Sequence, residues 1–205
     1  MKASHIVFIV EEPSIEAFLT GLLPRMLGAH VTFSIRAHQG KKDLLAKLGQ
    51  RLKGYARWLP DGTRLVVVAD RDDQNCLVLK QQMEALAADA GLRTRTTCGA
   101  LPWQVVNRIA VEELEAWYFG EWQGVRKAFP RLSVTQPKKA AFRNSDAIAG
   151  GTWEAFERVM KKAGHMAGGL RKVEAARIIG KHFSHQAATS PSFLSFREAV
   201  LEAFS

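Results

Sequence analysis

The chain has 205 residues, 47% of them hydrophobic, which is enough for one domain with a substantial core. No run approaches the ~18 apolar residues of a membrane span, and two cysteines, Cys76 and Cys98, are too few for a zinc ribbon or a disulfide framework. The formal charge of +9 favours polyanionic partners, and a start without a signal-peptide pattern leads us to expect reduced thiols in a cytoplasmic protein.

The first element is the apolar run His5-Ile6-Val7-Phe8-Ile9-Val10, a buried strand that ends in Glu11-Glu12. Pro13 suits a helix N1 position, and Ala17, Phe18, Leu19, Leu22 and Leu23 supply the apolar face of the helix that follows. Residues 31–36 alternate and predict a half-exposed second strand. Gly40 then turns the chain into a helix from about Asp43 to Trp58, leaving Lys41 or Lys42 on the same rim as a phosphate contact.

Leu65-Val66-Val67-Val68-Ala69 is the third strand, unalternating and therefore buried on both faces, as in the middle of a parallel sheet. It runs straight into Asp70-Arg71-Asp72-Asp73. Ligands of parallel α/β sheets sit beyond the carboxyl ends of the strands, so Asp70 and Asp72 are expected at a site. The bland alternative is an acidic turn in which Asp72 or Asp73 caps the next helix.

That helix is predicted from Leu77 to Ala90, with Leu77 on its apolar face and Gly91 as its stop. Residues 92–97 alternate as an outer strand and 103–109 form a fifth strand. The last ends in a third acidic group, Glu112-Glu113-Leu114-Glu115, where a helix would place Glu112 and Glu115 on one face. Trp117, Tyr118, Phe119 and Trp122 read as core.

The expected fold is α/β: a mostly parallel sheet of four to five strands with helices on both faces, over residues 1–130. Residues 131–205 read as a basic helical extension packed on it, with helices near 153–163, 170–183 and from Pro191 to Phe204. Residues 1–130 hold 17 basic and 14 acidic side chains, residues 131–205 hold 12 and 6, so the positive excess concentrates in the extension. Lys138, Lys139, Arg143, Arg171 and Lys172 are its candidate nucleic-acid contacts, beside Lys41 and Lys42 on the sheet rim. Arg143 could instead pair with Asp146.

Carboxylates at three strand ends resemble the TOPRIM domain of topoisomerases, primases and OLD-type nucleases. Longer stretches resemble a bacterial TOPRIM-like group, domain-of-unknown-function family 4276: Val-Glu-Glu-Pro-Ser-x-Glu-Ala-Phe-Leu at 10–19, Gln-Gly-Lys at 39–41, Val-Ala-Asp-Arg-Asp-Asp at 68–73, Asn-Arg-Ile-Ala-Val-Glu-Glu-Leu-Glu-Ala-Trp at 107–117, Phe-Arg-x-x-Asp-Ala-Ile at 142–148 and Gly-Gly-Thr-Trp-Glu-Ala-Phe at 150–156. The resemblance implies a TOPRIM-like fold, with Glu11 as general acid/base, Asp70 and Asp72 as Mg²⁺ (or Mn²⁺) ligands, Lys41 beside them, and Glu112, Glu113 or Glu115 completing a second metal position. One departure from the wider TOPRIM pattern is Glu12, where a glycine is usual; its side chain narrows access or adds a ligand.

The implied activity is metal-dependent cleavage of DNA or RNA, in a setting of phage defence. OLD-type proteins carry an ATPase, and this chain has no G-x-x-x-x-G-K-[ST], so any AAA/ABC-type ATPase partner is another polypeptide. A topoisomerase is disfavoured because the two tyrosines, Tyr55 and Tyr118, both fall on apparent amphipathic helices. The rival class is a non-catalytic subunit binding nucleic acid or an ATPase. A phosphatase or phosphotransferase acting on small substrates is a third.

Overall fold

The computed structural model describes residues 2–204. The central strands form where β-branched residues run without interruption. Strands β1 (His5–Val10), β2 (Thr32–Ala37), β3 (Thr63–Asp70) and β4 (Val105–Ala110) build one sheet in the order β2-β1-β3-β4, with every pairing parallel. Helices α1 (Pro13–Met26), α2 (Lys41–Ala56), α3 (Cys76–Asp89) and α4 (Leu114–Gly120) follow the four strands in turn. Then come α5 (Trp122–Ala128), three single 3-10 turns between 136 and 147, α6 (Thr152–Lys162), α7 (Lys172–His182) and α8 (Pro191–Phe204).

The pleat sorts the strand residues between two cores. Ile6, Phe8, Val10, Val66, Val68 and Val106 face one, shared with Phe18 and Leu22 of α1, Trp117 of α4, Ile179 of α7 and Phe196 of α8. Val7, Ile9, Leu65, Val67 and Ala69 face the other, closed by Leu44 and Leu48 of α2 and by Leu79 and Met83 of α3. The sheet is thus covered on both faces, as a parallel sheet requires. The first core runs continuously across residue 130, because Phe156, Ile179 and Phe193 lie in the same cluster as the β1 side chains.

Helices α1 and α7 cross in backbone contact. A Cβ at Gly21 would lie 2.7 Å from the Gly180 carbonyl carbon, and one at Gly180 would lie 2.3 Å from the Phe18 carbonyl oxygen. Arg25 caps the crossing, donating to the carbonyls of Gly180 (2.6 Å) and Phe183 (2.8 Å). This contact brings the start of α7, and with it Lys172, back to the sheet.

Several elements differ from the sequence expectation. Residues 92–97 are not a strand: Thr94 makes one parallel bridge to Val105, and then the Thr94 and Thr97 hydroxyls bond each other at 3.0 Å and close a turn, so the sheet stops at four strands. Asn75, rather than Asp72 or Asp73, caps α3, accepting from the N–H groups of Leu77 and Val78. Leu77 is 72% exposed, because the buried stripe of α3 is Leu79, Met83 and Ala87 and Leu77, two residues from Leu79, lies on the opposite side of the helix. Helix α4 starts at Leu114, so Glu112 and Glu113 precede it and Glu112 does not share a helix face with Glu115. Among the described residues no helix is long and apolar enough to cross a membrane.

Candidate functional site: carboxylates at the sheet edge

The strand order reverses between β1 and β3, with β1 leading outward to β2 and β3 leading the other way to β4. Ligands of open parallel sheets bind at such a reversal, beyond the strand ends. Glu11 follows β1 and Asp70 ends β3 at this point. The backbone locks them together: the Asp70 N–H donates to Glu11 Oε2 at 2.9 Å, and the Glu11 N–H donates to the Val68 carbonyl at 3.1 Å. The third acidic loop is tied in the same way, Arg71 N–H to the Ala110 carbonyl and Asp72 N–H to the Glu112 carbonyl, both at 2.9 Å. Asp72 takes a left-handed φ of 47° in this loop, a conformation aspartate tolerates better than most residues.

Burial and charge then act on the carboxyls. Glu11 is 5% exposed, and burial pushes its pKa up to about 7 against the pull of the Asp70 N–H and the Lys41 ammonium. Asp70, 4% exposed, is raised well above the usual carboxylate range, first by burial and then by Glu11, Glu115 and Glu12. Glu115, in the first turn of α4, is 2% exposed and pushed up to about 7 by burial, with Lys172 opposing and Glu113 adding to the rise. Glu12 accepts from the Ser14 hydroxyl and contributes like charge to Glu11, Asp70 and Glu115. The side chain in the usual glycine place is therefore part of the acidic cluster.

The cations are placed differently from expectation. Lys41 donates to Asp72 Oδ2 at 2.6 Å and to the Arg71 carbonyl at 2.9 Å, so it is bound into the site. Lys172 stands 4.0 Å from Glu113 and 5.2 Å from the centre of the Trp153 ring. Burial works against its charge, but Glu115, Glu113, Glu12 and Asp70 outweigh it and raise its pKa. Arg71 pairs with Glu112 at 3.4 Å. By contrast Lys42, Lys138, Lys139, Arg143 and Arg171 are exposed, Lys139 on the Gln136 side chain and Arg171 paired with Glu174. Asp146 does not meet Arg143 in an ion pair; it accepts from the Ser190 hydroxyl and the Ser192 N–H and so fixes the start of α8.

The start of α6 is a part of the site that the sequence does not announce. The N–H groups of Thr152 and Trp153 donate to Glu112 (3.2 Å) and Glu113 (2.9 Å), and the Thr152 hydroxyl donates to Glu113 at 2.9 Å. A helix N-terminus is a natural seat for carboxylate. Thr152 thus serves Glu113 instead of capping its own helix. The one signal for it in the sequence is the family-like stretch at 150–156, which carries no chemistry of its own.

A hard divalent cation fits these residues. The donors are all carboxylate oxygens, as Mg²⁺ prefers, and Asp70 Oδ1 is buried with no hydrogen-bond partner. Among the described residues no group of three such side chains is gathered ready to hold a metal. Mg²⁺ is commonly held by one or two carboxylates, with water and phosphate filling the remaining positions.

A family described as "Domain of unknown function (DUF4276)" matches residues 10–201. The chain is a DUF4276 protein. Among solved structures, this DUF4276 chain is similar to the C-terminal region of the Burkholderia pseudomallei OLD protein, with 14% identity and a TM-score of 0.46 over 100% of each chain. No curated protein matches it.

Proposed function

We propose that this DUF4276 chain is a divalent-cation-dependent phosphodiesterase that cleaves nucleic acid at the carboxylate edge of its sheet. The observation that carries the reading is the pairing of Glu11 and Asp70 at the strand-order reversal, both buried and one Asp70 oxygen left without a partner. Asp70 and Asp72 would hold Mg²⁺ or Mn²⁺, with water and phosphate filling the other positions and Glu11, Glu112, Glu113 and Glu115 around them. When bound, the metal supplies charge neutralisation at the phosphate and a more acidic water. Burial raises Glu11 to about 7 in the metal-free protein; a cation at Asp70 would ionise it, leaving it to take the proton of the attacking water and return it to the leaving oxygen. Lys41 and Lys172 supply fixed positive charge on two sides of the cluster. An ATPase on a separate polypeptide and a role in phage defence belong to the same proposal and rest on the family resemblance alone.

The test is incubation with labelled single- and double-stranded DNA and RNA in Mg²⁺, Mn²⁺ or EDTA. Cleavage in either metal, absent in EDTA and absent from Asp70→Asn, is the expected result. Equal cleavage by wild type and Asp70→Asn would discard the mechanism. The rival reading is a non-catalytic subunit that binds nucleic acid or an ATPase. It draws on the Lys41–Asp72 and Lys172–Glu113 pairs, which already neutralise two of the carboxylates. It predicts nucleic-acid binding without measurable Mn²⁺ binding by calorimetry.

A further inference from the structure

A second charged feature lies outside the carboxylate cluster. The loop from 131 to 142 and helix α6 enclose a cleft of ≈ 480 Å³. Arg131, Lys139, Arg158 and Lys162 line it, and no carboxylate does. Its apolar lining includes Leu132, Val159 and Phe142, and the Phe142 ring also packs against Phe119 at 5.0 Å.

The two lysines and two arginines are not equally committed. Arg131 donates to the Gly164 carbonyl at 2.5 Å, and Lys139 donates to Gln136 at 2.7 Å. Among the described residues Arg158 and Lys162 make no ion pair and no side-chain hydrogen bond. They are four residues apart on α6, so two like charges sit one above the other on a helix face, an arrangement that costs stability in isolation. The neighbouring Glu157–Lys161 pair is neutralised at 3.2 Å. An acid at 154, one turn before Arg158, would have offered the obvious partner, but the Glu154 carboxylate folds back over Gly151. The uncompensated pair therefore faces a cleft with an aromatic wall.

We propose that this cleft binds one nucleotide of a single-stranded nucleic acid, its base against Phe142 and its phosphates on Arg158 and Lys162. Cations that track a backbone, interleaved with aromatic faces that stack bases, are the usual equipment for single strands. The volume suits a single small ligand (roughly 300–1,000 Å³), and a duplex keeps its base faces covered. Lys138 and Arg143, exposed on the same loop segment, carry the positive charge beyond the cleft, which matches a chain of phosphates better than a lone nucleotide. Helix α6 links the two places: its first residues hold Glu112 and Glu113, and Arg158 and Lys162 lie about 9–15 Å further along its axis. A strand seated in the cleft thus comes within a few nucleotides of the carboxylates. The proposal deepens the nuclease reading and rests on it for the presence of a strand.

The test is anisotropy of a labelled 12-mer oligo(dT) or oligo(U) in EDTA, where no cleavage confuses the binding, over a salt series. Wild type should bind the single strand more tightly than a duplex of equal length. Arg158→Ala/Lys162→Ala should lower affinity at least tenfold and reduce the salt slope by roughly 1.4, about 0.7 for each single-strand phosphate no longer neutralised. Phe142→Leu should lower affinity at least about fivefold with the slope unchanged. No binding by wild type at low salt, tighter binding of the duplex, or an unchanged slope in a double variant that melts normally overturns the proposal. So does complete displacement of the oligonucleotide by dTMP or ATP at equal phosphate concentration, which would mark a free-nucleotide site. The nuclease reading fails separately: loss of binding in the cleft variants with no metal-dependent cleavage by wild type retains the cleft and discards the enzyme.

Discussion

Glu11, Asp70 and Glu115 are each no more than 5% exposed, whereas Arg158, Lys162, Lys138 and Arg143 face solvent. The acidic region is assembled where the Asp70 N–H reaches the Glu11 carboxylate 59 residues away, and Glu11, Glu115 and Glu12 add to the burial that raises Asp70. The basic region is assembled by side chains on one helix and one loop, each free to be removed alone. Buried like charge is costly unless a counter-ion or a proton compensates it, so the first region must take up a cation, a proton or Lys172. Exposed charge is cheap, so the second can be specialised for a ligand with little consequence for folding. Stability experiments should therefore report on the carboxylate edge, and binding experiments on the cleft.

The largest expected effect is on catalysis. Asp70→Asn should reduce metal-dependent cleavage by on the order of 10³-fold, since several kcal/mol of phosphate charge stabilisation depend on the metal. It should also raise the metal-free Tm at neutral pH by removing one of the repelling carboxyls. A lower metal-free Tm would break the contrast between the two regions.

Next is the α1–α7 crossing. Gly180→Ala places a methyl 2.3 Å from the Phe18 carbonyl oxygen. Overpacking of that kind costs about 1–3 kcal/mol, a Tm loss of roughly 3–10 °C for a chain of this size. Differential scanning calorimetry checks it; an unchanged Tm would mean the helices do not meet in backbone contact.

The pH dependence is more specific. Glu11 and Glu115 are raised from 4.5 to about 7 by folding, so between those values the folded protein holds protons that the unfolded chain has released. Their stabilising contribution is complete below about pH 4.5 and is lost as pH rises through 7. Glu11→Gln should thus raise the metal-free Tm by roughly 6–12 °C at pH 8, the equivalent of about 3 kcal/mol, and hardly at all at pH 4.5. A gain of equal size at both pH values would show that the carboxyl is not titrating.

The smallest effect belongs to the exposed loop. Lys138→Ala should leave the Tm within the experimental scatter and lower the salt slope of duplex binding by about 0.9, one phosphate left without its lysine. An unchanged slope would confine nucleic-acid binding to the cleft and the sheet rim near Lys42.

The same contrast governs what is legible in the sequence. Unbroken runs such as Leu65-Val66-Val67-Val68-Ala69 announce the parallel sheet because burial on both faces leaves no polar positions. Acids directly after those runs announce the edge where Glu11 and Asp70 meet. What the sequence hides are contacts made by residues distant along the chain. Lys172 looks like any lysine opening a basic helix until α7 returns it to Glu113 and Glu115. The Thr94–Thr97 turn is masked by a period-two pattern that a strand would share. Leu114, rather than Glu112, begins α4, a shift of two residues that changes which acids lie on the helix. Arg158 and Lys162 look like an ordinary solvated face; only the folding back of Glu154 leaves their spacing of four without an acid turned toward it.

The glycine crossing also sets an order of events during synthesis. Gly21 and Gly180 are separated by 159 residues of chain, which a ribosome working at about 5–20 residues per second needs roughly 8–30 s to deliver. For that interval the apolar face of α1, with Phe18 and Leu22, has no α7 to lie against. The N–H groups of α6 and the ammonium of Lys172 also reach the carboxylates only with this last third of the polypeptide. A nascent or prematurely terminated chain therefore carries the acidic strand ends without their supports and an unfinished core open to chaperones and proteases.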